Sequence, residues 1–145
     1  MRRPEPATQT SEFPRVLSAL SELLDLLGKA FEQYNVDNRS AFWVTLAVEE
    51  VFTNMIRHNR SSDNRISMDL DISETRISVR LTDYGVPPFD PASVPEVDTT
   101  LSAEQRTPGG LGVFIVRSQM DDVAYSHENG NLSVSFTKYR ELADD

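Results

Sequence analysis

Between His58 and Ile66 the hydrophobic rhythm of the chain changes from that of a helix to that of a strand, and this change restricts the fold more than any other feature. Before it, Phe13, Val16, Leu17, Leu20, Leu23, Leu24, Leu27 and Phe31 recur at steps of three and four, the stripe of an amphipathic helix. Ser11 is placed to cap that helix and Pro14 suits its first turn. After a short polar loop, Asn35 to Arg39, a second helix is predicted over about Ser40 to His58, with Phe42, Leu46, Phe52, Met55 and Ile56 among its apolar positions. Beyond the change, Ile66, Met68, Leu70 and Ile72 alternate with polar residues, and so do Ile77, Val79 and Leu81. The two runs read as an antiparallel hairpin across Ser73-Glu74-Thr75. A second hairpin joins Val123 and Tyr125 to Leu132, Val134 and Phe136 across His127 to Asn131, where Asn129-Gly130 supplies the chemistry of a tight turn. A third helix is predicted over about Leu111 to Met120. This order predicts an α+β fold, a two-layer α/β sandwich in which helices cover one face of a mainly antiparallel sheet. Residues 1–12, polar and with two prolines, read as a flexible leader, 13–140 as one domain and 141–145 as a tail.

Several chemistries are excluded by what the chain lacks. Its 145 residues contain no cysteine, which removes a disulfide scaffold, a thiol nucleophile and a Cys-ligated zinc. Its two histidines, His58 and His127, are far apart in sequence and do not suggest a His-rich metal site. With 14 Lys and Arg against 23 Asp and Glu, the net charge of −9 opposes binding to nucleic acid or an anionic membrane, and no basic run offsets it. No apolar stretch reaches membrane-spanning length, and Met1-Arg2-Arg3 is not followed by an apolar signal core. A cytoplasmic protein is expected.

The glycines and prolines are concentrated. Four of six glycines are Gly85, Gly109, Gly110 and Gly112, and five of eight prolines lie between Gly85 and Gly109. They bracket a segment of about two dozen residues without periodicity, either a surface insertion or a functional loop. Its far end, Gly109-Gly110-Leu111-Gly112, opens into an apolar run. Such glycines either make a turn or leave backbone N–H groups free for phosphate at a helix N-terminus. The Walker and GxGxxG spacings are both absent. In LAVEEVFTNMIRHN, Glu50 and Asn54 are four apart and share one helical face. They form either an exposed polar stripe or a carboxylate and a carboxamide directed together into a pocket. In the second case the Asn oxygen would ligate Mg²⁺ on a triphosphate and the Glu would accept a proton from an attacking hydroxyl or water. Leu81-Thr82-Asp83-Tyr84-Gly85 ends a strand. Asp83 there is either turn chemistry or an acceptor for an adenine amino group, with Gly85 letting the backbone approach the ring.

Taken together in this order, E-x-x-x-N on a helix, a strand ending D-x-G, and a long segment closing at G-x-G before a helix resemble the GHKL (Bergerat-fold) ATPases. LAVEEVFTNMIRHN, LTDYG and GGLGVFIVRSQMDDVAY further resemble the anti-sigma factor serine kinases of bacterial partner-switching systems, over roughly residues 40–138. The resemblance implies ATP and Mg²⁺ as cofactors. It makes Glu50 the catalytic base, Asn54 the Mg²⁺ ligand, Asp83 and Gly85 the adenine site, and Gly110, Leu111 and Gly112 the phosphate-binding end of a lid. Arg106, in that lid, is a further candidate phosphate contact. The implied activity is a serine/threonine protein kinase that phosphorylates an anti-anti-sigma (STAS-domain) protein and sequesters a sigma factor. The alternative is an ATP-gated partner-binding regulator with little or no kinase activity. A homodimer is compatible with either. Two positions depart from the family's pattern: His58-Asn59 stands where His-Gly is usual, and Asn131-Leu132 where Gly-Thr is usual.

Overall fold

The computed structural model describes residues 7–58, 63–85 and 119–141. Within them the chain runs β1 (Ala7–Phe13), a 3-10 turn (Leu17–Ala19), α1 (Leu20–Gln33), α2 (Asn38–His58), β2 (Ile66–Ile72), β3 (Arg76–Asp83), β4 (Asp122–Glu128) and β5 (Asn131–Tyr139). The strands form one five-stranded sheet in the order β1-β2-β3-β5-β4, with every neighbouring pair antiparallel. This is the predicted α+β architecture.

The inner face follows from strand alternation. Met68, Leu70 and Ile72 of β2, Ile77, Val79 and Leu81 of β3, and Val134 and Phe136 of β5 are buried. Against them pack Leu23, Leu27 and Phe31 of α1 and Val44, Ala47, Val48, Val51, Phe52 and Met55 of α2. Each large side chain so buried contributes about 1.5–3 kcal/mol. The opposite face carries hydroxyls and carboxylates instead: Thr10 donates to Asp69 (2.7 Å), and Ser78 pairs with Thr137 and Thr82 with Ser133, both at 3.2 Å. An antiparallel sheet tolerates one such wetted face.

The hairpins close as their turn residues require. Ser73 N–H donates to the Arg76 carbonyl at 2.9 Å, and Ser73 Oγ accepts from the Thr75 and Arg76 amides. Asn129 and Gly130 both have positive φ, 55° and 78°, the backbone of a two-residue hairpin turn. His127 therefore lies within β4, opposite Leu132, and not in the turn.

The expected leader is corrected most. Residues 7–12 belong to β1, paired with β2 along its whole length. The strand has no hydrophobic alternation, because Gln9 and Ser11 share the inward side with Phe13; its order comes from backbone pairing and from Phe13 packing edge-on against Phe52 (6.3 Å). The helix expected from Phe13 begins only at Leu20, so Ser11 caps nothing. Pro14 sits at the corner after the strand, where its carbonyl accepts from Val16 N–H at 2.8 Å. Val16 and Leu17, expected on the apolar stripe, are exposed, as is Phe42 of α2. At the other terminus Glu141 is tied down by its amide to Asp37 Oδ1 (3.1 Å), so the tail does not begin there. The expected helix 111–120 lies outside the described residues except for Gln119 and the buried Met120. No described helix is long and apolar enough to cross a membrane.

Candidate functional site

One edge of the inner face ends in a row that crosses all five strands: Phe13, Ile66, Asp83, Leu132 and His127 stand in register. Asp83 is the carboxylate in that row and is only 2% exposed. The alternation Ile77, Val79, Leu81, Asp83 puts it on the apolar side, where an anion requires a cation and hydrogen bonds.

Arg15 supplies both. Its guanidinium pairs with both Asp83 oxygens; Nη2 bonds Oδ1 and Nη1 reaches Oδ2 at 3.4 Å. Nη1 also donates to the Met55 carbonyl (3.0 Å) and Nε to the Asn64 carbonyl (3.2 Å). The two side chains are 4% and 3% exposed. Burial lowers the Arg15 pKa from its ordinary value, but a guanidinium stays charged in a protein. Sequence reasoning overlooked Arg15, which reads as one polar residue in the apolar run after Pro14. The signal that could have found it is Asp83, whose inward position calls for a partner.

Beyond Asp83 the chain turns sharply. Gly85 has φ +67°, and a Cβ there would stand 2.6 Å from Asn64 Nδ2, so a side chain is disfavoured on both counts. Asn64 Nδ2 donates to the Tyr84 carbonyl (3.0 Å), and Gly85 N–H donates to Asn131 Oδ1 (3.3 Å). Asn131, at the position that departs from the Gly-Thr pattern, thus spends its carboxamide oxygen on the turn.

The other half of the site lies on α2. Glu50 and Asn54 are half-buried, one turn apart, at the margin of the buried stripe formed by Ala47, Val51 and Met55. The backbone carbonyl of Glu50 accepts from Thr53 Oγ1 (3.2 Å). Asn54 Oδ1 is buried with no hydrogen-bond partner. A desolvated, unpaired oxygen costs about 1–3 kcal/mol unless something completes it. As a hard donor it fits Mg²⁺, which takes one or two protein oxygens and fills its octahedron with phosphate oxygens and water. Glu49, the adjacent carboxylate, instead lines a separate cavity of about 580 Å³ between α1 and α2, with Phe31 and Phe42.

Arg15 joins the two halves, because its Nη1 contacts both Asp83 and the carbonyl of Met55, the residue after Asn54. The structure thus brings Asn54, Asp83 and Gly85 to one end of the sheet, with Glu50 one turn back along α2. Arg106, Gly110, Leu111 and Gly112 lie outside the described residues.

A helix bearing Glu and an unpaired Asn, beside a strand ending in a buried Asp and a positive-φ Gly, is the arrangement that the resemblance to nucleotide-binding ATPase domains leads one to expect. The chain belongs to the histidine kinase-like ATPase domain family, which it matches over residues 13–138. Among curated proteins it is similar to the serine-protein kinase RsbW of Listeria monocytogenes, with 34% identity over 100 residues, 65% of this chain and 62% of that one. It is also similar to the serine-protein kinase RsbW of Bacillus cereus, with 29% identity over 99 residues, 65% of this chain and 61% of the relative. The matched segment therefore spans less than two-thirds of these relatives. Two solved structures share the fold. One holds the RsbU and RsbW domains of a Mycobacterium tuberculosis protein (TM-score 0.68, 11% identity, 94% of this chain, 33% of that one). The other is the SiaB-SiaC complex of Pseudomonas aeruginosa (TM-score 0.62, 14% identity, 90% and 88%).

Proposed function

We propose that this protein is an ATP-dependent serine/threonine protein kinase of a partner-switching system, acting in the cytoplasm and doubling as an anti-sigma factor. The observation that carries the reading is the unpartnered Asn54 oxygen, one turn from Glu50 on a helix whose Met55 carbonyl Arg15 ties to the buried Asp83. The family match and the similarity to serine-protein kinases support it.

In this reading Asp83 accepts a hydrogen bond from the adenine amino group, and Gly85 lets the backbone lie close to the ring. Asn54 Oδ1 holds Mg²⁺, which when bound neutralises charge on the triphosphate. The Glu50 carboxylate takes the proton of a partner's serine or threonine hydroxyl. That oxygen forms its bond to the γ-phosphorus as the bond to the β-phosphate bridging oxygen breaks, releasing ADP. Gly110, Leu111 and Gly112 complete the phosphate site with backbone N–H groups. The partner is a STAS-domain anti-anti-sigma protein, and a sigma factor is the competing ligand.

The test combines two measurements on wild type, Glu50→Gln and Asn54→Ala. Thermal stability is read with ATP, ADP and GTP, with and without Mg²⁺. Transfer of label from γ-labelled ATP to a STAS-domain protein is read in parallel. Expected are an adenine-selective, Mg²⁺-dependent shift lost in Asn54→Ala, and a phosphoprotein absent with Glu50→Gln although that variant still binds ATP. ATP-dependent partner binding without any phosphoprotein in wild type would replace the kinase with an ATP-gated binder. No shift at millimolar nucleotide would overturn both.

A further inference from the structure

Asp83 has a partner, Arg15, to which the nucleotide reading assigns no role in recognising the base. We propose that Arg15 is a positioning residue that sets adenine-over-guanine selectivity by holding Asp83 as an anion, an inference that rests on the assignment of Asp83 to the adenine site.

The chemistry is that of one atom on each base. At position 6 adenine presents an amino donor and guanine a carbonyl acceptor. An ionised carboxylate only accepts, so it favours the first and repels the second; a protonated one can also donate, and would tolerate guanine. A carboxylate 2% exposed on an apolar sheet face is disposed to take up a proton. The guanidinium against both of its oxygens opposes this. Each carboxylate oxygen has a second lone pair, so the Arg15 pairing leaves acceptor capacity for a base. Because both side chains are buried, Arg15 is a fixed member of the site and not a plug to be displaced. Its bond to the Met55 carbonyl also fixes the strand that reads the base relative to the helix that bears Asn54.

Other groups around Asp83 are accounted for. Ile66 and Leu132, its neighbours in register, do not titrate, and His127 stands one strand beyond Leu132 in the same row. On α2, Arg57 and His58 lie in the exposed last turn. Tyr84 follows Asp83 directly, with its hydroxyl bonded to Ser67 at 2.9 Å.

The experiment measures ATP and GTP dissociation constants with Mg²⁺ from pH 6 to 8.5. It uses wild type, Arg15→Met, Arg15→Lys, Asp83→Asn and the double variant Arg15→Met/Asp83→Asn, with His58→Gln and His127→Gln backgrounds as controls. Wild type and Arg15→Lys should prefer ATP by a ratio that does not vary with pH. In Arg15→Met the ratio should fall at least tenfold at pH 6 and recover as rising pH removes the proton from Asp83, in both histidine backgrounds. Asp83→Asn should be unselective at every pH, and the double variant should match it, because Arg15 acts through Asp83. Equal loss of ATP and GTP affinity in Arg15→Met, a ratio indifferent to pH, or a double variant differing from Asp83→Asn would overturn the proposal. The double variant leaves no buried unpaired charge, so a difference between it and Asp83→Asn can still overturn the proposal even if Arg15→Met does not fold, and the Arg15→Lys ratio tests the charge itself. Wild type that binds ATP and GTP alike would overturn the adenine assignment of Asp83 as well, and wild type that binds neither would overturn the nucleotide site.

Discussion

Arg15 and Arg140 stand at opposite ends of α2 and β3 and use the same side chain for different ends. Arg140 donates to three backbone carbonyls, those of Ser73 (2.7 Å), Tyr34 (2.9 Å) and Asn35 (2.8 Å). It closes the β2–β3 turn onto the α1–α2 loop and meets no carboxylate among the described residues. Beside it Asp37 caps α2, accepting from Ser40 N–H (2.9 Å) and Glu141 N–H (3.1 Å). Arg15 also binds backbone carbonyls, but it adds a carboxylate, and that carboxylate faces the proposed nucleotide site. The difference teaches how to separate a residue that holds the fold from one that also sets a charge state. Ion pairs alone do not make the distinction: Arg39–Glu141, at 3.4 Å with both side chains exposed, is worth about 0–1 kcal/mol at most.

The comparison breaks first under Arg15→Ala, which leaves Asp83 buried without its cation. The expected loss is about 3–5 kcal/mol in urea unfolding at pH 7, mostly recovered when Asp83→Asn is added. If the double variant is no more stable than the single one, the pair has no special role and the two arginines are alike. Asn54→Ala should do the reverse of a structural change. Removing an orphaned oxygen should leave the unliganded stability nearly unaltered or raised. It should also abolish the gain of about 2.7 kcal/mol that ATP with Mg²⁺ gives at a hundred times its dissociation constant. Arg140→Ala should cost about 2 kcal/mol through its lost carbonyl bonds, with ATP affinity changed less than twofold by calorimetry; a larger change would make both ends functional.

The smallest effect belongs to Asp37→Ala, about 1 kcal/mol at neutral pH for a lost N-cap. Burial works to raise the Asp37 pKa, but hydrogen bonds from the Ser40 amide and hydroxyl and the Glu141 amide outweigh it, leaving it below the ordinary carboxylate value. The charge-dependent part of its contribution is therefore complete above about pH 4. It disappears as pH falls through the lowered folded-state value. Stability curves of wild type and variant should converge over that acidic range and run parallel above it.

These corners also mark what the sequence makes legible. The hairpins, α2 and the pairing of Glu50 with Asn54 follow from period alone, because packing against a single core enforces alternation in strands and three-four spacing in helices. The same alternation carries Asp83 to the inner face. β1 was not legible: an edge strand with Gln9 and Ser11 on its inward side is ordered by backbone hydrogen bonds to β2, which leave no mark on side-chain pattern. Arg15 was hidden for a related reason. Its partners are 40, 49 and 68 residues away, and nothing local to Pro14-Arg15-Val16 points to them. Asn131 was visible only as a departure from a family pattern, and its bond to Gly85 N–H spans two elements. Arg106, Gly110, Leu111 and Gly112 lie outside the described residues.

The strand that precedes Arg15 gives the site an alignment mark. β1 pairs with β2 from Ala7↔Ile72 to Phe13↔Ile66, and only Pro14 separates that last rung from Arg15. A slip of one residue would turn Phe13 away from Phe52 and carry Arg15 about 3.3 Å along the strand axis. A chain trapped in that register would keep its helices and the four remaining strands. It would pass as native by circular dichroism and yet lack the Arg15–Asp83 pairing on which the proposed base reading depends, so the active fraction of a preparation would count correctly threaded molecules.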